Sequence, residues 1–203
     1  MAFFGSIKNQ MTSQLKREAS KAVNSAAQDV SQTIANGRNH TENFTFNALP
    51  VNVAELQALP EASLDSAFKT TALCIAALCN WEKDANATWE MLDFLKGPES
   101  VSEREKQFIK DRLYGKQYKT LSFFKGATPE NGYTPVAPYT ITVSENPYSF
   151  AEENWATLYV TSGGADAPRP IKLRRKPSTN QWFINDIQCL ADIRIPTEED
   201  PWA

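Results

Sequence analysis

Only one histidine, His40, occurs in the 203 residues, and it stands in the polar stretch from Arg38 to Asn43. A histidine base activating a serine or cysteine inside a folded body is therefore not available, and no G-x-S-x-G turn is present either. His40 reads as a solvated bystander rather than a proton-transfer group. Cysteine is almost as scarce. Cys74, Cys79 and Cys189 are odd in number and make no C-x-x-C, which argues against a disulfide scaffold and against a thiolate zinc site. Buried free thiols in a reducing, cytoplasmic setting are the expectation. His, Cys and carboxylates are nowhere clustered at ligand spacing, so no metal and no cofactor is expected. No apolar run approaches the ~20 residues that cross a bilayer. A net charge of -3 is too mild to draw nucleic acid by bulk electrostatics, and none is expected as a partner.

What charge there is falls unevenly. Lys8, Lys16, Arg17, Lys21 and Arg38 outnumber Glu18, Asp29 and Glu42 within residues 1–47, giving a faintly basic arm on an acidic body. Residues 1–37 carry Phe3, Phe4, Ile7, Met11 and Leu15 at helical spacing, a stripe that thins to alanine further on. The pattern predicts an amphipathic helical arm. It fits protein-partner binding or self-association first, and contact with the inner membrane surface second. A linker over 38–43 and a folded body over 44–203 complete the predicted organisation.

Within the body the helical signals come first. Asn52 is a candidate N-cap for a short helix in 50–59. Ser66 to Asn80 is apolar on nearly every side in its later turns, which places that helix at the centre of the fold. Asn86 to Lys96 turns Trp89, Met91, Leu92, Phe94 and Leu95 inward and stops at Gly97-Pro98. Ser102-Glu-Arg-Glu105 is a capping box; it opens a helix with Phe108, Ile109 and Leu113 as the inner side. Then come four runs of alternating apolar and polar residues, 139–143, 155–160, 169–174 and 181–185. Ile141, Val143, Leu158, Val160, Ile171, Leu173, Trp182 and Ile184 form their apolar face. The fold expected is α+β, with four helices on one face of a curved C-terminal antiparallel sheet.

Several phrases carry a resemblance. Ala54 to Asp65, Phe94-Leu-Lys-Gly-Pro98, Phe124 to Asn131, Tyr139 to Tyr148, Ser162-Gly-Gly-Ala-Asp166 and Glu199-Asp-Pro-Trp202 resemble an uncharacterised bacterial family known as a domain of unknown function. The resemblance covers roughly residues 44–203 and implies no activity, cofactor or catalytic residue. The layout is also similar to the cone-shaped nuclear-transport-factor-like fold, which implies a pocket between the sheet and its helices.

Candidate chemistry is thin. Gly163-Gly164 lies between strands, which favours a hairpin connection over a phosphate loop. Arg169, Lys172, Arg174, Arg175 and Lys176 read either as a solvated face that protects the sheet from edge pairing or as contacts for an acidic partner or for the chain's own Glu198-Glu-Asp200. Tyr133, Tyr139, Tyr148, Phe150 and Trp155 form an aromatic neighbourhood suited to recognition or to the rim of the core. The candidate interaction residues are thus Phe3, Phe4, Ile7, Met11, Leu15, Lys172, Arg174, Tyr133 and Tyr148, with no catalytic residue. A non-catalytic binding module is the leading expectation; a small-molecule enzyme or ligand-binding protein with a pocket between sheet and helices is the alternative.

Overall fold

A computed structural model describes residues 40–202. The predicted arm, with Phe3, Phe4, Ile7, Met11 and Leu15, lies outside the described residues. The fold is α+β. Five antiparallel strands follow one another in simple order across a curved sheet: β1 (Thr41–Phe46), β2 (Tyr139–Ser144), β3 (Trp155–Val160), β4 (Arg169–Lys176) and β5 (Gln181–Ile187). Helices α1 (Val53–Gln57), α2 (Ala67–Leu78), α3 (Ala85–Lys96), α4 (Glu103–Leu113) and α5 (Tyr118–Leu121) lie between β1 and β2 in the chain. Among the described residues no helix is long and apolar enough to cross a membrane.

Each longer helix starts where a polar side chain meets an orphan amide. Asn52 accepts from Glu55 N (2.9 Å), Ser66 from Phe68 N (3.2 Å) and Asp84 from Ala87 N (2.9 Å). The Ser102–Glu105 capping box forms in both directions. Helix α2 is buried along almost its whole length and packs against all five strands and α3. It alone roofs most of the sheet. α3 reaches β5, and α1 sits on α3.

Seven of the eight residues expected on the apolar face are buried; Trp182 is half-buried beside them. Ile141, Val143, Leu158, Ile171 and Leu173 from the strands, and Leu73, Ile75 and Leu78 from α2, have no accessible surface. A cavity between the layers would leave some of that surface exposed to a water-sized probe. The layer between α2 and the sheet is therefore packed, and no pocket lies beneath that helix.

Three local differences from expectation have plain causes. Thr41–Asn43, read as linker, continue β1 in register with Thr142–Ser144; their polarity reflects an open sheet face, not a connector. Phe108 was expected inward but is 38% exposed. Ile109 and Leu113, one turn apart, set the buried side of α4 and rotate Phe108 to its margin, where the Arg112 guanidinium lies 5.1 Å from its ring centroid. Finally, β4 is not an edge strand, since β3 and β5 flank it. Its basic residues consequently cannot serve to block edge pairing.

Gly163 and Gly164 belong to the β3–β4 connection, and their smallness has a packing cause. A Cβ on Gly163 would overlap the Ala127 carbonyl, and one on Gly164 would overlap the Tyr133 hydroxyl and Ile193. Gly163 N donates to Ser122 O (2.8 Å), and Ser162 Oγ lies 2.8 Å from Ser122 Oγ. The 122–127 segment is thereby wedged between the splayed ends of β2 and β3, where Lys125 N donates to Thr140 O (2.8 Å).

Candidate functional site

The chemistry-bearing side chains of the body gather along β5. Two hollows lie there and share Lys96 and Asn185. One, of about 550 Å³, runs between α4 and β5 past Arg104, Glu105, Phe108, Asp186 and Gln188. The other, of about 200 Å³, opens at the β4–β5 corner among Glu99, Arg174, Arg175, Lys176 and Phe183. Together they form one groove.

Lys96 is its hinge. Its side chain is only 6% exposed, and its ammonium donates to Glu105 Oε1 at 2.5 Å and to Asn185 O at 3.4 Å. It reaches this place because α3 ends at Gly97 (φ +69°), a left-handed turn pressed against the Phe183 ring so closely that no side chain fits. Glu105 accepts in addition from Ser102 N (2.8 Å) and Ser102 Oγ (2.6 Å). Burial pushes its carboxyl pKa up, but the Lys96 ammonium and the two Ser102 donors outweigh burial and hold it below the usual range. Such a carboxylate is a poor general base, and the pair acts as a clamp joining α3, α4 and β5.

With Lys96 and Glu105 matched, the groove retains Arg104, Arg174, Arg175 and Lys176 against Glu99 and Asp186. Arg174 stacks 5.1 Å from the centroid of Trp155, its cross-strand neighbour, and faces Phe183 on the other side. Lys172 projects from the same uncovered face of β4, opposite Thr157 and Asp186. Among the described residues none of Lys172, Arg174, Arg175 and Lys176 makes an ion pair within 4 Å. The ion pairs among the described residues involve other cations. Arg175 bonds Asn180 instead, and its Nε is buried without a partner. The acidic Glu198–Asp200 stretch does not neutralise them, since the turn at Thr197–Glu199 packs beside Pro129–Asn131.

The remaining candidates separate. Tyr133 is fully buried at φ +54°, stacks on Tyr118 at 5.7 Å, and donates its hydroxyl to Arg194 O at 2.8 Å. It is a core residue and cannot offer a recognition surface. Tyr148 is 81% exposed on the β2–β3 connection, and Phe150 beside it packs edge-on against Trp182. His40 pairs with Glu42 at 3.0 Å and meets Phe68 edge-on. All three thiols are buried; desolvation pushes Cys79 and Cys189 up to about 12 and Cys74 well above its ordinary value, so none is a nucleophile at neutral pH. No metal-ligating cluster occurs among the described residues.

The sequence put forward Lys172 and Arg174, and of the groove's other residues it did not put forward Lys96, Glu105 and Phe183. Its signal for Lys96 and Glu105 was a lysine just before a Gly-Pro stop and a glutamate closing a capping box, which pointed to helix ends and not to each other. No curated protein and no solved structure matches the chain. Residues 48–197, which span all five helices and strands β2 to β5, match the domain of unknown function DUF6935, and the chain belongs to that family.

Proposed function

We propose that this protein is a non-catalytic binding module whose body takes an acidic protein segment along β5 and the uncovered face of β4. The observation that carries the reading is a formed groove whose cations have no ion pair among the described residues, flanked by Trp155 and Phe183, on a chain whose net charge is negative. Guanidinium groups held against aromatic rings suit carboxylates, and the ring faces add apolar contact. The tight packing of α2 on the sheet supports this reading over a small-molecule enzyme built beneath that helix. Residues 1–37 act in this reading as the tether, through a protein partner or self-association.

A fluorescein-labelled Asp/Glu-rich dodecapeptide is the probe. Arg174→Glu combined with Lys172→Glu is expected to weaken its binding ~10-fold or more, with a shallower salt dependence. Equal affinity of the two proteins would remove the groove from the proposal. Deleting residues 1–37 is expected to change oligomeric state or liposome binding while circular dichroism shows an intact body; no change in either property removes the tether.

A further inference from the structure

The outer edge of β1 is open among the described residues. Glu145 N donates to His40 O (2.9 Å), which fixes the antiparallel phase. His40, Glu42, Phe44 and Phe46 direct their backbone groups to β2, and Thr41, Asn43 and Thr45 direct theirs outward. Among the described residues nothing meets those outward groups, and β1 stands last in the sheet. Natural edges are blunted by charged side chains, above all lysine, by proline, a bulge or a covering loop. The strand Thr-Glu-Asn-Phe-Thr-Phe has no lysine or proline and pairs with β2 without a break in register. Its one charge, Glu42, is engaged by His40 (3.0 Å).

We propose that β1 pairs antiparallel with β1 of a second copy of this chain, about a two-fold axis at Asn43, so that two sheets become one. The choice of occupant comes from symmetry. Thr41, Asn43 and Thr45 read the same from either end, so the axis sets Asn43 against its own copy and Thr41 against Thr45. All three outward pairs form, giving roughly six backbone hydrogen bonds. The same axis places Glu42 opposite Phe44. A shift that centres the axis on Glu42 would oppose two carboxylates and lose a pair. The side-chain ladder on the uncovered face, Thr142 Oγ1 donating to Asn43 Oδ1 (2.7 Å) and Thr45 Oγ1 against Thr140 Oγ1 (3.1 Å), then continues across the axis. An unrelated peptide strand would match the backbone but not this ladder. A six-residue edge is a small interface, so the dimer is expected to be weak and to dissociate on dilution.

Sedimentation velocity of the full chain from about 1 to 500 μM tests the pairing, and the inference does not depend on the acidic-segment reading. The wild type is expected to pass from monomer to dimer. Asn43→Pro removes an outward N–H while leaving the β1–β2 backbone bonds, and Asn43→Lys opposes two ammonium groups; each should weaken dimerisation at least ~10-fold. An equimolar mixture of Asn43→Lys and Asn43→Asp should recover it, because lysine then faces aspartate. A wild type monomeric throughout overturns the proposal. So does a dimer that ignores both Asn43 variants, or one that the mixture fails to restore.

Discussion

The sheet has two margins, and they are finished in opposite ways. Along β5, Trp182 N donates to Leu64 O (2.8 Å), Thr70 Oγ1 donates to Trp182 O (3.0 Å), and Lys96 donates to Asn185 O (3.4 Å). Loop, helix and ammonium each cover part of that strand. Along β1 no described residue does so. A margin closed by groups from three elements is tied into the stability of the fold, whereas an open one is a resource for association. The comparison predicts that substitutions on the β5 side cost stability and those on the β1 side cost assembly.

The largest effect should come from Lys96→Ala. It strips Glu105 of its buried partner and β5 of a donor, and since Glu105 is itself about one-third exposed the loss should be about 2 to 3 kcal/mol, below that of a wholly buried pair. Urea unfolding measures it; a loss under about 1 kcal/mol would make β5 no better fastened than β1. The pH dependence sharpens the point. Because the folded-state pKa of Glu105 lies below its ordinary 4.5, its contribution is fully present above that value and is lost as pH falls through the folded value. The acid limb of stability against pH should therefore be shallower in Lys96→Ala than in the wild type. Thr70→Val removes a single donor to Trp182 O and should cost about 1 kcal/mol. Smallest of all should be the stability change of Asn43→Pro, within about 1 kcal/mol, since its amide points away from β2.

Much of this architecture is written in the chain's local pattern. Trp155–Val160 alternates without interruption and is a strand of those bounds; Ser102 and Glu105 cap a helix as their spacing demands. The failures share a cause, which is dependence on a distant element. Thr41-Glu-Asn43 is as polar as a linker because one side of β1 faces water, and only β2, a hundred residues on, reveals the strand. Tyr133 looks like a loop aromatic until the tail supplies Arg194 O as its acceptor. Phe183 alternates to the polar side, yet it is half-buried because Gly97 lies against it. Lys96 and Glu105 meet only after the Gly97–Val101 turn folds α4 back, a reversal no periodicity encodes.

The register of β5 holds a final implication. Leu173 faces Ile184 and Lys172 faces Asp186, so Asn185 is an additional residue between successive pairs. Without it, Ile184 and Ile187 would stand two apart in a regular strand and still share the inner side, so the apolar pattern alone has no use for it. Its outward carbonyl is what Lys96 reaches. A one-residue deletion there would thus spare the layer of oily side chains and reshape the basin beside them.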